Sequence, residues 1–270
     1  LDEGRAARLA ELEIHVALSL DGTETAHDAA RPMRGGAASY RLASRALDLL
    51  LATGRPFDVI TVVDPATLHE LATGVRRILD RGVTSLTLNP SWGAAWSDAA
   101  LTTMRAQYEE IAALVVAWFR RGRAVAVQPF DSALILHASG RASRSHACGA
   151  GVTSFAVGPS GRIYGCVRAV GEDEAARAIG ALDVGVDPTR VGSLGAPACP
   201  GSCACANLEE TGDAAVAGPV QRFHEELVAS LAPRIARALE QDELGRATYR
   251  TTFVPTDLPT TSASISLEVP

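Results

Sequence analysis

The sequence predicts an α/β protein that is followed by a small cysteine-rich region. Two observations carry this prediction. Short apolar segments alternate with amphipathic helical segments over the first 90 residues, and all 5 cysteines lie between residues 148 and 205. Alternating strands and helices with short connections are typical of a parallel sheet covered by helices. With 47% hydrophobic residues, a chain of 270 residues can bury a sizeable core.

The first strand and helix are indicated by residues 14–19 and 40–53. The run 14–19 is apolar and ends at the turn residues Asp21 and Gly22, as expected for a buried parallel strand. After a loop rich in glycine and charge, residues 40–53 have the spacing of an amphipathic helix. A second apolar run with β-branched residues at 57–63 predicts the next strand.

The pattern continues to about residue 129. Residues 83–88 predict a third strand, and a long helix begins at Ser97 or Asp98. Pro129 ends a further strand at 124–127, because proline cannot donate to a strand ladder. The helix between the second and third strands is predicted by an apolar stripe of Leu68, Leu71, Val75, Ile78 and Leu79.

The character of the sequence changes near residue 140, where glycine, serine and cysteine become frequent, and we predict a domain boundary there. A last helix begins at Pro219 and is predicted to be interrupted at Pro233, because proline lacks the amide hydrogen that a helix interior uses. Residues 251–270 are rich in proline, serine and threonine, which predicts a frayed tail.

Charge and composition exclude several classes of partner. The net charge is −6, whereas proteins that bind nucleic acid need a positive field. The sequence has no long apolar run typical of a membrane span and no pattern of an export signal. We therefore expect a cytoplasmic protein that binds neither nucleic acid nor membrane.

The cysteines indicate a local metal site. Two strand-like pieces, Phe155–Val157 and Arg162–Tyr164, predict a hairpin between the first two cysteines. Thiolates from this hairpin and from the later segment CPGSCAC can enclose a soft metal, because iron in clusters and zinc both favour sulfur ligands. The spacing alone leaves an iron–sulfur site, a zinc site and merely buried cysteines open. The candidate ligands are Cys148, Cys166, Cys199, Cys203 and Cys205.

Two motifs resemble those of radical S-adenosylmethionine (radical SAM) enzymes with SPASM domains. The segment SLDGTETAHDAARPMRGGAASY resembles that family's fourth-strand region, and Cys148, Gly161 and Cys166 satisfy the start of its SPASM signature. The residues that match in the first motif are Ser19, Asp21, Gly22, His27, Asp28, Arg31 and Gly35.

The resemblance implies an architecture in three parts. Residues 1–139 would form the C-terminal half of a partial (β/α)6 barrel, and residues 140–215 would form a SPASM-like domain with a β-hairpin. Residues 216–270 would supply a C-terminal helix and a flexible tail.

The resemblance also implies cofactors. One auxiliary 4Fe–4S cluster would be held by Cys148, Cys166 and two of the three later cysteines, and S-adenosylmethionine (AdoMet) would bind in the complete enzyme. Ser19, Asp21 and Arg31 are the expected AdoMet contacts, with Ser19 at the ribose. The structural alternatives are that Asp21 forms a turn and that Arg31 pairs with Asp28.

One departure from the family leaves the activity open. Its catalytic cluster is bound by a C-x3-C-x2-C motif, and no cysteine precedes Cys148. We therefore expect a fragment of a peptide- or protein-modifying maturase that acts by hydrogen-atom abstraction. The alternative is a catalytically incompetent protein that binds a peptide or a partner around a structural iron–sulfur or zinc site. A partner chain that completes the barrel is a further expectation.

Overall fold

The structure, a computed structural model, describes residues 1–139, 151, 154–193, 203–213 and 216–253. It confirms the predicted α/β class with a parallel sheet. Consecutive strands are neighbours in this sheet, which places the connecting helices on the same face. The strands are β1 (Ala17–Ser19), β2 (Asp58–Val63), β3 (Ser85–Pro90) and β4 (Ala126–Gln128).

The helices of this part cover the sheet and alternate with its strands. They are α1 (Glu3–Glu11) before β1, α2 (Glu24–Ala30) and α3 (Tyr40–Ala52) before β2, α4 (Leu71–Asp80) before β3, α5 (Asp98–Phe119) before β4, and α6 (Phe130–Ser139) after it. A 3-10 turn, Leu68–Glu70, precedes α4. The apolar stripe predicted for α4 is buried in the main core.

Helices α2 and α6, which lie among the strands of the parallel sheet, were not predicted from the sequence. Helix α2 has no apolar stripe and depends instead on its cap, where Thr23 Oγ1 accepts a hydrogen bond of 3.1 Å from the Ala26 amide. Helix α6 carries apolar residues around its whole circumference. The sequence therefore shows no helical periodicity there, and the segment cannot be distinguished from a buried strand by its pattern.

Strand β1 is shorter than the predicted run 14–19. Ile14 remains attached to the end of α1, because its amide donates to the Leu9 carbonyl over 3.0 Å. Glu13, which precedes it, has a φ of 53° and turns the chain away from the helix. The strand therefore begins at Ala17.

Helices α10 (Pro219–Glu240) and α11 (Glu243–Phe253) pack on α5 and α6. The interruption predicted at Pro233 is wrong, since α10 runs through it. Buried Leu231 and Ile235 on either side of Pro233 hold both halves against the core, which offsets the lost hydrogen bond. The residues predicted as tail begin inside α11, whose Phe253 stacks on Phe119, while residues 254–270 lie outside the described part.

A small antiparallel sheet follows the parallel one. Its order is β5 (Ala156–Val157), β6 (Arg162–Tyr164), β7 (Gly180–Ala181) and β8 (Gly185–Val186). The short helices described in this part of the chain are α7 (Val167–Val170), which contacts the sheet, α8 (Pro188–Ser193), and α9 (Ala204–Thr211), which contacts α10. Among the described helices, none combines the length and the apolar character that crossing a membrane requires.

Candidate functional site

One face of the parallel sheet is partly exposed and carries polar side chains beside apolar ones, and we call it the open face. Alternate residues of β2, such as Val59 and Val63, are fully buried beneath the helices, whereas Ile60 and Val62 are partly exposed on the other side. The strand register aligns one row of the open face across all four strands: Ser19, Ile60, Thr87 and Gln128. A parallel sheet covered on both faces carries apolar side chains on both. This row is polar at three of its four positions, and the polar row therefore indicates a surface built for a ligand.

Asp21 lies at the carboxyl edge of β1 and is 4% exposed. Its Oδ2 accepts a hydrogen bond of 2.8 Å from Arg31 Nε, and its Oδ1 accepts one of 2.8 Å from the Val62 amide. The Nδ1 atom of His27 lies 3.4 Å from Oδ2. Burial acts to raise the pKa of this carboxyl group, but the hydrogen bonds with His27, Arg31 and Val62 outweigh it and leave the pKa below its ordinary value.

The structure therefore brings together two of the three residues predicted to bind AdoMet. Arg31 pairs with Asp21, and the pairing with Asp28 that we considered from the sequence does not form in the described structure. Asp28 instead accepts hydrogen bonds from the amides of Ser39 and Tyr40 at the start of α3. The third residue, Ser19, is exposed on the open face, two residues before Asp21.

Polar and aromatic residues also follow β3 at the same edge of the sheet. Asn89 shares a row of the open face with Val62. Trp92 is 9% exposed and packs against Ala206 and Val220, with its ring edge-to-face on His224. Trp92 is thus a packing residue that connects this edge with helices α9 and α10.

The two cysteines whose side chains are described belong to different segments near this edge. Cys166 is half-buried at the N-cap of α7, and half-buried Cys203 directly precedes α9 and packs against the cluster around Trp92. Cys148 and Cys199 lie outside the described residues, as does His146, and the side chain of Cys205 is also outside them. The predicted ligand set is therefore only partly visible.

Arg168 joins both cysteine segments to the parallel sheet, a role that the sequence did not reveal. Its Nη1 donates to Glu209 Oε2 of α9 over 2.7 Å, and its Nη2 donates to Asn89 Oδ1 over 3.0 Å. The neighbouring Glu210 accepts hydrogen bonds from the amides of Val220 (2.6 Å) and Gln221 (3.2 Å) and so caps α10. Helix α9 is thus anchored at two points.

Asp131 is a further buried carboxyl group, placed just after β4 at the carboxyl edge. It is 8% exposed, and its Oδ1 accepts a hydrogen bond of 2.7 Å from the Ser132 amide. Burial raises its pKa above the ordinary value. No sequence motif marks this residue, although its position after a strand is the signal that would have found it.

Comparison with known proteins bears on the fold alone. No protein-family model and no curated protein matches the chain. The solved structure of native anSMEcpe with bound AdoMet and Cp18Cys peptide matches with a TM-score of 0.69 at 16% identity, over 89% of this chain and 73% of that one. The hexahistidine-tagged anSMEcpe with bound AdoMet matches with a TM-score of 0.68 at 17% identity, over 93% and 72%. The chain therefore shares the fold of these structures.

The described side chains can be compared with the ligands that an iron–sulfur cluster requires. Among the described residues there is no group of three or more histidine, cysteine or acidic side chains that could hold a metal. The two described cysteines nevertheless lie on segments that the Arg168–Glu209 ion pair ties together. Thiols on two joined segments fit a soft metal centre with ligands from both.

Proposed function

We propose that the chain belongs to a SPASM-type radical SAM protein that modifies a peptide or protein by hydrogen-atom abstraction. The observation that carries the proposal is the polar row of the open face, which lies next to the Asp21–Arg31 pair in a chain with this fold. The likeness to anSMEcpe structures containing AdoMet and a peptide supports the same ligand classes here.

In this proposal AdoMet lies over the carboxyl edge of β1. The exposed hydroxyl group of Ser19 bonds the ribose, and the guanidinium of Arg31, whose side chain is 26% exposed, faces the carboxylate of the methionine moiety. Asp21 is buried and holds Arg31 in place. This arrangement agrees with the general rule that ligands of parallel sheets bind beyond the carboxyl ends of the strands.

The peptide substrate occupies the remainder of the open face. Thr87 and Gln128 are half-buried there and supply a hydroxyl and an amide, which are able to bond a peptide backbone. Ile60 and Val62 supply apolar area between them. The free edge of β1, with which no strand of the described residues pairs, fits a partner chain that completes the barrel.

An auxiliary 4Fe–4S cluster completes the proposed site. Cys148, Cys166 and two of Cys199, Cys203 and Cys205 would hold it. When bound, such a cluster supplies an acceptor or relay for one electron, with a potential tuned by burial and by hydrogen bonds to sulfur.

Binding of AdoMet is the first test. We expect Ser19→Ala to weaken AdoMet binding about 3- to 10-fold in calorimetry, the scale of one hydrogen bond of about 1 kcal/mol. Thr103→Ala, which removes a hydroxyl group bonded only within α5, is the matched control and should bind normally. Equal AdoMet affinity for the two variants would contradict the placement of Ser19.

A second candidate is a peptide- or partner-binding protein that has no catalytic activity. The observation that favours it is the absence of any cysteine before Cys148, where the family binds its catalytic cluster. Anaerobic incubation of the full product of the open reading frame with AdoMet and dithionite separates the two candidates, because this chain alone has no motif for the catalytic cluster and is not expected to cleave AdoMet. Release of 5′-deoxyadenosine supports the enzyme, whereas peptide binding without any cleavage supports the binding protein.

A further inference from the structure

We propose that Arg168 is a positioning residue that fixes the two cysteine segments relative to each other and to the parallel sheet. The proposal rests on the function proposed above, because the group being positioned is the auxiliary cluster. It concerns two contacts of the Arg168 side chain, with Glu209 and Asn89, and the position of Arg168 in the same helical turn as Cys166.

The first segment is fixed through its own short helix. Arg168 lies two residues after Cys166, within the four residues of α7. The Ala169 amide donates to the Cys166 carbonyl over 2.9 Å, so Cys166 and Arg168 belong to the same turn. A displacement of the Arg168 backbone therefore displaces Cys166.

The second segment is fixed through α9. The Asn207 amide donates to the Cys203 carbonyl over 2.9 Å, which continues the helical hydrogen bonding back to the cysteine. Glu209 is in the following turn, and its Oε2 lies 2.7 Å from Arg168 Nη1. The ion pair therefore joins the helix that begins at one cysteine to the helix that begins at the other.

The contact with Asn89 fixes Arg168 relative to the parallel sheet. Asn89 belongs to β3, whose residues are held by parallel pairing with β2. Its Oδ1 accepts from Arg168 Nη2, the second outer nitrogen of the guanidinium. A planar guanidinium holds two acceptors at a fixed angle, whereas the ammonium of lysine is a point charge on a flexible stem.

The energetics favour a positioning role over a purely stabilising one. The Arg168 side chain is 24% exposed and that of Glu209 is 39% exposed, so solvent screens part of the attraction. Exposed ion pairs on single helices contribute little to stability. Here the pair instead connects α7 with α9, which are separated along the chain by β7, β8 and α8. Correct placement of the thiols on these segments decides whether a cluster can assemble.

The test compares Arg168→Gln, Arg168→Lys, Glu209→Gln and Asn89→Ala with the wild type. Arg234→Gln is the matched control, because Arg234 forms an exposed ion pair with Glu109 away from the cysteines. Iron and sulfide per protein are measured after anaerobic reconstitution, together with the electron paramagnetic resonance spectrum of the dithionite-reduced protein and the circular dichroism spectrum. We expect Arg168→Gln to lose at least half of the iron or to shift the resonance, Arg168→Lys to recover part of the loss, and Arg234→Gln to match the wild type.

The outcomes separate the two proposals. Wild-type iron content and an unchanged resonance in Arg168→Gln overturn the positioning role and leave the proposed cluster intact. If Arg168→Gln does not fold, Glu209→Gln and Asn89→Ala decide in the same way, because both retain the arginine.

A wild type that binds zinc instead of iron contradicts the proposed function, and zinc loss in Arg168→Gln would still support positioning. A wild type that binds neither metal overturns both.

Discussion

Gly22 and Gly74 lie backbone against backbone, so that a Cβ atom added to Gly22 would overlap the carbonyl group of Gly74. Gly22 has a φ of +84°, and a Cβ on Gly74 would lie 2.5 Å from the Asp21 carbonyl oxygen. The two glycines therefore allow α4 to approach the loop after β1, which is the loop that carries Asp21.

Replacing either glycine should destabilise the protein strongly. We expect Gly74→Ala to lower the free energy of unfolding by about 3 kcal/mol or more, because two backbones would have to separate. Gly54→Ala is the control: its φ is +64° with no atom near an added Cβ, so it carries only the conformational penalty of about 1 kcal/mol. Urea unfolding measures both, and similar losses for the two variants would contradict the close-approach explanation.

Asp21→Asn should cost stability at neutral pH and much less in acid. The folded state lowers the pKa of Asp21 below its ordinary value of 3.8, so the stabilisation is complete above that value and disappears as the pH falls through the folded-state pKa. We expect a loss of about 2 kcal/mol at pH 7, the scale of hydrogen bonds to a charged group. Urea unfolding at pH 7 and pH 3, with exposed Asp80→Asn as control, tests this. A difference between wild type and Asp21→Asn that is independent of pH would refute the prediction.

His224 should make stability depend on pH between about 6.5 and 4. Burial lowers its pKa from 6.5 to about 4, so in this window the unfolded state binds a proton that the folded state does not. Stability should fall with decreasing pH by up to about 1.4 kcal/mol per unit. His224→Leu should flatten this slope, whereas His69→Gln, at an exposed histidine, should not. An unchanged slope in His224→Leu would show that other groups cause it.

Glu210→Ala should destabilise α10 by removing its cap. The carboxylate satisfies the amides of Val220 and Gln221, which have no acceptor within the helix. We expect a loss of about 1–2 kcal/mol, the range measured for N-caps, and a lower melting temperature in thermal unfolding. Exposed Glu226→Ala on the same helix is the control. Equal melting temperatures for the two variants would argue against the cap.

The α/β class and its parallel sheet could be predicted from the sequence because local periodicity encodes them. The strand at 57–63 is an example: alternate residues are buried beneath helices that have their own apolar stripes. Helix α2 escaped prediction because its stability comes from a capping hydroxyl and from packing, not from a stripe. Its formation therefore depends on the Thr23 cap and on packing in the folded protein, neither of which produces a hydrophobic period.

The candidate site was predictable only where a motif marks it. Ser19, Asp21 and Arg31 lie within one short segment, and two of them meet in the structure. The partners of Arg168 are 41 and 79 residues away, and no local pattern connects such positions. Long-range contacts of this kind depend on how the strands and helices pack, which one sequence does not specify by its spacing.

The strands follow one another in sequence order, and the connecting helices lie on one side of the sheet. Neighbouring residues of a strand therefore face different surroundings. Val59 and Leu86 are constrained by packing beneath the helices, whereas Ile60 and Thr87, one position further along, point away from that layer and are constrained by whatever they bind. Selection can therefore alter ligand preference along the second set without repacking the interior. A library of variants randomised at Thr87 and Gln128 would keep the buried core and change only the side chains of the open face.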